Sequence, residues 1–404
     1  MHHELAPTVM ARCDELATLS CDAHTLTRPA YMPAMRAAHN RVSSWMRAAG
    51  MTVYEDAAGN LVGSYPANRS AARTLIIGAH LDTVRDAGRY NGSLGLLVAI
   101  AAVEALHRQE RRLAAAIDVV AFANTEGLRF APACTGSLAL TGQLPKDALY
   151  AQDETGVSLE AAIREFGGDP EHLAQDARRP EDLLGYLEVQ IGPTLEAQGQ
   201  PLGLVTAIAG ATHAQLTLRG TAGHAGALPM NLRHDALAGA AQLILAAEKI
   251  AQTTPGLVAT IGQLALHPNA HNVIPGQVRL SLDLRHPDDD LRLQALNDLQ
   301  ERAMALAQQR GLQLTWEEVQ SHPACTLTPT FCARLQQAIE SAGCTPVALT
   351  SGTLHDAAIL ATFTNSAMLL VPSRSGLSHQ PSEAVAPEAV AAAIAAVGRF
   401  LESL

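Results

Sequence analysis

Imidazole and carboxylate side chains follow two predicted strands of this sequence, at the positions where a parallel sheet binds its ligands. His80 and Asp82 come at the end of an apolar run over residues 74–80, and Glu126 follows a second run over residues 116–123. In a parallel sheet covered by helices, ligands bind at the carboxyl ends of the strands. Imidazole and carboxylate groups transfer protons and also bind metal ions. These residues therefore predict a site for acid–base or metal-assisted chemistry.

The segments around these residues predict a sheet with parallel strands. A helix with an apolar face is expected over residues 93–108, between the two apolar runs. A strand, a helix and a second strand in this order form a parallel pair covered by the helix. The C-terminal part returns to this pattern, with a helix at 328–342 (Thr328 as N-cap, Pro329 as first residue), a strand at 367–371 and a last helix at 387–404.

The middle of the chain has a different pattern. Residues 213–219 and 277–285 alternate apolar and polar side chains, which is typical of an antiparallel sheet with one solvated face. Helices are expected at 232–250 and 289–310. We therefore predict an α/β fold, in which a catalytic domain with a parallel-rich mixed sheet (residues 1–210 and 319–404) is interrupted by an α+β lid domain (residues 211–318).

The composition is that of an acidic globular protein. Of the 404 residues, 48% are hydrophobic and 17% are charged, which excludes wholesale disorder. A net charge of −11 and an aromatic content of 3% argue against partners such as nucleic acid or anionic membranes. No stretch has the roughly 18 uncharged apolar residues of a membrane helix, and we see no secretion signal. Because the six cysteines are scattered without a C-x-x-C pair, we expect reduced thiols and a cytoplasmic protein.

Eight short motifs occur in a fixed order along the chain. The first four are Gly78-Ala-His-Leu-Asp-Thr-Val84, Gly88-Arg-Tyr-Asn-Gly-Ser-Leu-Gly95, Thr125-Glu-Gly-Leu-Arg-Phe130 and Gly223-His-Ala-Gly-Ala-Leu-Pro-Met230. The others are Asn231-Leu-Arg-His-Asp-Ala-Leu237, Asn272-Val-Ile-Pro-Gly276, Leu284-Arg-His-Pro-Asp288, and Val371-Pro-Ser followed by Leu377-Ser-His379. With these motifs, the chain resembles the allantoate amidohydrolase and N-carbamoyl-L-amino-acid hydrolase branch of the dizinc aminoacylase/carboxypeptidase family, from about residue 30 to the C-terminus.

The resemblance implies a catalytic domain that holds two zinc ions and a lid domain that also forms a homodimer. In that family, the His of G-x-H-x-D, the second Glu of E-E-G and a C-terminal His are metal ligands. The matching positions of this sequence are His80, Glu126 and His379. Asp82 matches the residue that orients the first His.

Three positions that carry the family's chemistry differ in this sequence. The Asp that bridges both metals in the family is Asn91 here, and the general base is Thr125. The family's H-I-E-Q-G-P segment reads Gln190-Ile-Gly-Pro193, so Gln190 replaces a ligand His and two residues are missing. Neutral amides are poor partners for two dications, and a Thr hydroxyl does not ionise near neutral pH.

These differences favour chemistry without a metal, so we expect no cofactor. His80, Glu126 and His379 are then predicted to be acid–base groups, together with Asp82 and His224. One alternative is that His80, Glu126 and His379 bind a single Zn or Mn ion, because two imidazoles and one carboxylate form a known ligand set. Another is a catalytically inactive binding or partner subunit that retains these polar residues.

The residues that contact the substrate match the family better. His224 matches the lid-domain His that reaches the substrate, and Asn272 and Arg285 match the residues that bind its carboxylate. An Arg side chain donates two parallel hydrogen bonds to a carboxylate, although Arg285 could also form a simple surface ion pair. Gly352 lies in a segment, Ser351-Gly-Thr-Leu-His-Asp-Ala357, that matches the family's S-G-A-G-H-D-A loop. The predicted substrate-binding residues are Asn272, Arg285, His224, Gly352, Asn91 and Gln190.

Together, these residues predict an amidohydrolase-like protein that recognises a small molecule with a carboxylate. The expected substrate is an N-carbamoyl, ureido or N-acyl amino acid, and the expected chemistry is metal-independent reaction at a C–N bond. A metal-dependent amidohydrolase and an inactive partner subunit remain the alternatives. We expect a homodimer formed through the lid domain.

Overall fold

The computed structural model describes residues 2–192, 195, 199 and 201–404, so that Pro193 of the Gln190 segment lies outside the described residues. By its internal contacts, the chain divides into two compact units. The first contains Met1–Thr206, Leu327–Leu349 and His355–Leu404, and the second contains Ala207–Thr326 and Thr350–Leu354. The interpretation of residues 211–318 as a lid and dimerisation domain stays a prediction.

Helices and strands alternate along most of the described chain. The helices are α1 (His2–Ala17), α2 (Pro33–Ala48), α3 (Ser93–Arg108), α4 (Thr135–Leu140), α5 (Leu159–Glu165), α6 (Leu173–Asp176), α7 (Ala236–Thr253), α8 (Asp289–Arg310), α9 (Pro329–Ser341), α10 (Asp356–Ala361) and α11 (Pro387–Glu402). The strands are β1 (Thr52–Glu55), β2 (Leu61–Tyr65), β3 (Thr74–His80), β4 (Ala116–Phe122), β5 (Leu183–Gly192), β6 (Gly203–Ile208), β7 (Gly210–Arg219), β8 (Gly223–His224), β9 (Val258–Thr260), β10 (Leu264–His267), β11 (Val273–Ile274), β12 (Gln277–His286), β13 (Gln313–His322), β14 (Cys325–Thr326), β15 (Val347–Ser351) and β16 (Ser366–Pro372).

The first unit is built on a mixed sheet whose strand order includes β1-β2-β4-β3-β5-β16-β6. Strand β3 is parallel to both β4 and β5, and β5 is parallel to β16, whereas β2 and β6 are antiparallel to their neighbours β4 and β16. The side chains of β3, β4 and β5 are almost entirely buried, as expected for parallel strands covered on both faces. The predicted α/β class is confirmed.

Helix α3 is apolar over nearly its whole length, which explains why it lies in the core of the first unit. Its backbone approaches strand β5 closely at Gly95. A Cβ atom at this position would lie 1.8 Å from the carbonyl oxygen of Val189. The glycine therefore sets how near the start of α3 can lie to the carboxyl end of β5.

A buried arginine fixes the loop that follows β3. The side chain of Arg28 is inaccessible to solvent, and its Nε donates a hydrogen bond to the carbonyl of Leu81 at 2.7 Å. Its Nη1 donates to the carbonyls of Leu16 and Leu19 at 2.6 and 2.9 Å. Burial lowers the pKa of the guanidinium to about 10, so it remains charged at neutral pH. Arg28 thereby ties the segment after α1 to the loop that carries Asp82.

The second unit has an antiparallel sheet of order β10-β12-β7-β13, with β9 paired to β12. One face of this sheet is apolar and packs against α7 and α8, and the predicted alternation of β7 and β12 places these side chains on that face. Its buried members on β7 and β12 are Ala214, Leu216, Leu218, Val278, Leu280, Leu282 and Leu284. Strands β8 and β11 form a separate short ladder.

The chain leaves the first unit and returns to it at neighbouring positions. The amide of Leu327 donates a hydrogen bond to the carbonyl of Thr206 at 3.0 Å, and both residues belong to the first unit. Just beyond them, β14 pairs with the end of β6. None of the helices within the described ranges is long and apolar enough to cross a membrane.

Substitution Gly95→Ala should test the close approach of α3 to β5. A helix gains up to about 1 kcal/mol when Gly is replaced by Ala, but the new Cβ would collide with a backbone oxygen that cannot move away independently. We expect the free energy of unfolding to fall by about 2 kcal/mol or more in denaturant titrations. The matched control is Gly352→Ala, which meets no atom within 4 Å and should change this free energy by less than about 0.5 kcal/mol. A Gly95→Ala variant as stable as the wild type would contradict the described packing.

Candidate functional site

His80 ends strand β3 and is oriented by a backbone carbonyl. Its imidazole is 3% exposed, and Nδ1 donates a hydrogen bond to the carbonyl oxygen of Asp82 at 2.9 Å. The carboxylate of Asp82 is farther away, with Oδ1 at 3.8 Å from Nδ1. Asp82 thus lies beside His80 as predicted, but it orients the ring through its main chain.

The carboxylate of Asp82 instead holds the turn after β4. It accepts hydrogen bonds from the backbone amides of Thr125 at 3.2 Å and Glu126 at 2.9 Å. The preceding residue, Asn124, has a φ of 55°, a conformation that Asn adopts more readily than most residues. Asp82 therefore links the ends of β3 and β4, which explains how His80 and Glu126 come to face each other.

Gln190, near the end of β5, has its side-chain orientation fixed by three hydrogen bonds. Its Oε1 accepts from the amides of Gly92 at 2.9 Å and Ile191 at 3.0 Å. Its Nε2 must then be the end that faces Nε2 of His80, at 3.1 Å. Because an amide N–H donates to Nε2, this contact accommodates the neutral imidazole with its proton on Nδ1.

Glu126 lies between two imidazoles. Its Oε1 is 3.9 Å from Nε2 of His80 and 3.6 Å from Nε2 of His379. Burial alone would lower the pKa of His80, but the carboxylates of Glu126 and Asp82 raise it, and the net shift is upward. The structure therefore brings the three predicted acid–base residues together, with His379 the most exposed of them.

A buried glutamate joins the two loops that carry Asn91 and His379. Oε1 of Glu383 accepts a hydrogen bond from the amide of Asn91 at 3.0 Å, and Oε2 accepts from the amide of His379 at 3.3 Å. The hydroxyl of Ser378 donates to Oε2 at 3.3 Å and accepts from Nδ2 of Asn91 at 3.2 Å. The sequence interpretation missed Glu383, although its position four residues after His379 was a usable signal.

These contacts fix the amide of Asn91 and leave its oxygen free. Because Ser378 uses its proton toward Glu383, the group that faces Ser378 must be the donating end of Asn91. The other end, Oδ1, is buried and has no hydrogen-bond partner among the described residues. A buried, unpaired acceptor is costly, so this oxygen is well suited to receive an N–H group from a ligand.

Thr125, at the position of the family's general base, contacts a second buried carboxyl group. Its hydroxyl donates to Oδ2 of Asp356 at 2.8 Å, and the hydroxyl of Ser137 donates to Oδ1 at 2.5 Å. Burial raises the pKa of Asp356 to about 7, and the nearby carboxylate of Glu188 contributes to this increase. Asp356 was noted only as part of a motif, so its contact with Thr125 is a finding of the structure.

The predicted substrate-binding residues of the second unit lie in two places. His224 lies on β8, opposite Val273 of β11, and Asn272 directly precedes β11. The amide of Ala225 donates to the carbonyl of Asn272 at 2.9 Å. Arg285, on β12, donates through Nη1 to the carbonyl of Gly352 at 2.7 Å. The structure thus places Asn272 beside the residue that follows His224, and Arg285 in contact with Gly352.

The guanidinium of Arg285 is already engaged with a carboxylate. Its Nε and Nη2 donate to the two carboxylate oxygens of Asp283, both at 2.7 Å. The pKa of Asp283 is lowered because these hydrogen bonds and the charge of Arg285 outweigh the effect of burial. The geometry matches the ion-pair alternative for Arg285, and its role toward a substrate carboxylate stays a prediction.

The donor groups present do not fit the two metal ions that the resemblance implies. At the bridging position the neutral amide of Asn91 supplies one oxygen and no charge, so it cannot offset the repulsion between two dications. At the position of the ligand His, Gln190 directs an N–H group at Nε2 of His80. This is the lone pair that a metal bound by His80 at Nε2 would require.

Comparisons with known proteins agree with the fold and the motifs. The model of peptidase family M20/M25/M40 matches residues 76–403. The chain is 40% identical to N-carbamoyl-L-amino acid amidohydrolase from Geobacillus stearothermophilus over 365 residues (89% of this chain, 88% of the relative). It is 37% identical to allantoate deiminase from Arabidopsis thaliana over 433 residues (99% and 82%). The crystal structure of an amidase of the hydantoinase/carbamoylase family from Burkholderia multivorans superposes with a TM-score of 0.92 at 28% identity, covering 98% of this chain and 97% of the other.

The chain therefore belongs to peptidase family M20/M25/M40, in the branch of the allantoate deiminases and N-carbamoyl-L-amino acid amidohydrolases. The predicted resemblance is confirmed.

Substitution Gln190→Leu should raise the pKa of His80. The variant loses the amide N–H that occupies Nε2, so this nitrogen becomes free to take a proton beside Glu126. One hydrogen bond to the neutral form is worth about 0.5–1.5 kcal/mol, which corresponds to a rise of up to about one pKa unit. The measurement is a pH titration of the imidazole nitrogens by NMR. The exposed residue Gln336 provides the control, Gln336→Leu, and an unchanged pKa in the Gln190 variant would contradict the assigned contact.

The buried carboxyl of Asp356 should make stability depend on pH. In the unfolded chain an Asp has a pKa of about 3.9, whereas the folded chain keeps Asp356 protonated up to about pH 7. Between these values the unfolded state loses the proton first, so this group's contribution to stability falls as the pH rises. From pH 4 to pH 8, we expect the free energy of unfolding of the wild type to fall by about 4 kcal/mol relative to that of Asp356→Asn. Urea titrations measure it, with surface residue Asp147→Asn as the control for net charge.

Proposed function

We propose that this protein is a metal-independent enzyme that acts on a C–N bond of an N-carbamoyl, ureido or N-acyl amino-acid carboxylate. The names of the relatives, N-carbamoyl-L-amino acid amidohydrolase and allantoate deiminase, support this substrate class. The observation that carries the metal-independent part is the hydrogen bond from Gln190 to Nε2 of His80. The N–H group of Gln190 lies at Nε2 of His80, where the resemblance implies a bound metal ion.

The cluster of His80, Glu126 and His379 supplies the acid–base groups in this proposal. Glu126 can exchange a proton with His379, since its Oε1 lies 3.6 Å from Nε2 of that residue. His379 is exposed enough to meet a substrate and to donate a proton to the departing nitrogen. His80 is buried and held by Asp82 and Gln190, so in this proposal it fixes the surroundings of Glu126.

Within the first unit, substrate recognition in this proposal uses the side-chain amides of Asn91 and Gln190. The unpaired Oδ1 of Asn91 accepts an N–H of the ureido or carbamoyl group. Gln190 has one remaining N–H, because the other faces His80. Arg285 uses three of its five N–H groups on Asp283 and Gly352, and the two that remain on Nη1 and Nη2 can bind a carboxylate. His224 and Asn272 are the other residues predicted to bind the substrate.

A metal-dependent reaction with a single Zn or Mn ion is the second candidate. Glu126 lies near both Nε2 atoms, as a shared ligand set of His80, Glu126 and His379 would require. For His80 to bind the ion, the amide of Gln190 would have to turn away and release its two backbone donors. An inactive binding subunit is the third candidate function.

The proposal includes a homodimer formed through the second unit. Large apolar side chains are exposed on its helices and outer strands, as on surfaces that bind another protein. They are Leu245, Val258, Leu264, Leu291, Leu293, Met304 and Val319.

Turnover by chelator-treated protein is the first test. We expect cleavage of N-carbamoyl-L-amino acids or allantoate to be unaffected by chelator and by added zinc or manganese. Glu126→Gln and His379→Asn should each lower kcat by about 10²–10⁴-fold, because each removes a proton-transferring group. The control is Glu154→Gln, whose side chain is 87% exposed and lies outside the cluster. Metal content per chain, measured by elemental mass spectrometry, accompanies each assay.

Three outcomes would overturn the proposal. Turnover that is lost on chelation and restored by one metal ion per chain would establish the single-metal alternative. Binding of a carbamoyl amino acid without turnover would establish a binding subunit. Turnover that is retained in both Glu126→Gln and His379→Asn would place the chemistry elsewhere.

A further inference from the structure

The residue at the family's general-base position contacts a carboxylate instead of carrying one. Thr125 cannot itself act as a base, but its hydroxyl donates a hydrogen bond to Oδ2 of Asp356 at 2.8 Å. A hydroxyl that donates to a carboxylate can accept a proton on its own oxygen while it passes the first one on. In this chain the carboxylate of Asp356 thus lies one hydrogen bond away from residue 125, the position that carries the general-base carboxylate in the family.

Burial indicates which of the two hydroxyls on Asp356 can pass a proton to and from the site. Asp356 and Ser137 are inaccessible to solvent, whereas Thr125 retains 8% exposure. Ser137 therefore anchors Oδ1 from the interior, and Thr125 is the contact through which Oδ2 can communicate with a ligand. Thr125 also directly precedes Glu126, so its position in the turn is fixed by the same hydrogen bonds to Asp82.

The surroundings of Asp356 favour uptake of a proton. Its carboxyl group is buried near the carboxylate of Glu188, and two carboxylates in one buried region resist being charged together. This raises the pKa of Asp356 toward neutrality, which is the range in which a general base is most effective. The other titratable groups around it are His80, Cys134, Tyr186 and His355, which lies 3.5 Å from Glu188.

We propose that Asp356 is the proton acceptor of the reaction and that the hydroxyl of Thr125 relays the proton to it. This proposal rests on the proposed C–N hydrolysis. A water oxygen forms a bond to the carbonyl carbon of the substrate and gives its proton to Oγ1 of Thr125, while the Thr125 proton moves to Oδ2 of Asp356. When the C–N bond breaks, its electron pair leaves with the nitrogen, which takes a proton from His379. The proton held by Asp356 then returns through Thr125 to solvent, and His379 regains a proton from solvent. One water is consumed, and all three side chains return to their starting state.

The test compares three variants of the full-length protein on the substrate that the wild type cleaves. Thr125→Val removes the hydroxyl at nearly constant shape and should lower kcat by 10²-fold or more, with little change in KM. Thr125→Ser keeps the hydroxyl and should remain within about tenfold of the wild type. Asp356→Asn should lose the limb of the pH–rate profile that lies near neutral pH, and the thermal unfolding of each variant shows whether it folds.

A second readout does not require turnover. The carbonyl stretch of the protonated Asp356 carboxyl in infrared difference spectra should titrate near neutral pH, and it should shift in Thr125→Val but not in Thr125→Ser. A Thr125→Val variant that keeps most of its kcat, or an unshifted band, overturns the relay and leaves the proposed function intact. A substrate fragment bound covalently to Thr125 in acid-quenched enzyme would also overturn it, because Thr125 would then be a nucleophile. Absence of turnover by the wild type itself would instead remove the proposed function, and this proposal with it.

Discussion

The carboxamide of Gln190 is the interaction on which the geometry of the candidate site depends. A carboxamide has one accepting end and one donating end, and two backbone N–H groups occupy the accepting end. One of them belongs to Gly92, directly before α3, so the side chain joins this helix to strand β5. The donating end then faces His80 and accommodates its neutral form. A single planar group thus contacts the start of α3, the end of β5 and the imidazole of His80.

The departures from the family are electrostatically consistent with one another. Without two cations, a carboxylate at position 91 would lie near the buried carboxylate of Glu383, and like charges in a partly buried region destabilise each other. A glutamate at position 125 would add a further negative charge beside Asp356. The neutral side chains Asn91 and Thr125 avoid this repulsion, and both are held by hydrogen bonds in the positions they occupy. In a site without a pair of metal ions, the neutral side chains at positions 91 and 125 are therefore consistent with each other.

Most of the elements around the site could be predicted from the sequence, because local patterns specify them. The apolar run of β3 and the apolar helix α3 lie where they were predicted, and α8 begins and ends as expected. Helix α7 begins at Ala236 instead of near residue 232, because the side chain of Asp235 accepts hydrogen bonds from the amides of Leu237 and Ala238. Thr328 precedes α9 as predicted, but its hydroxyl accepts from the amide of Ser366 and does not cap the helix.

The contacts that tune the site could not be predicted in the same way. Arg28 binds the carbonyl of Leu81, and Glu383 binds the amide of Asn91, across long separations in sequence that no periodicity encodes. Asp356 and Thr125 were each visible in a motif, but their hydrogen bond depends on how the sheet brings α10 next to the end of β4. The family motifs therefore located the residues of the site, and the packing of the first unit determined which of them form hydrogen bonds with each other.

The adjacent exit and return of the chain at Thr206 and Leu327 has a consequence for folding. To form β16 and α11 against the rest of its core, the first unit must bring together two parts of the chain separated by the entire segment from Ala207 to Thr326. Closing a disordered loop costs conformational entropy that grows with the logarithm of its length. A second unit that has already folded, with its two ends paired through β6 and β14, behaves as a very short connection. Early folding of the inserted segment would therefore lower the entropic barrier to completing the sheet that surrounds it in sequence.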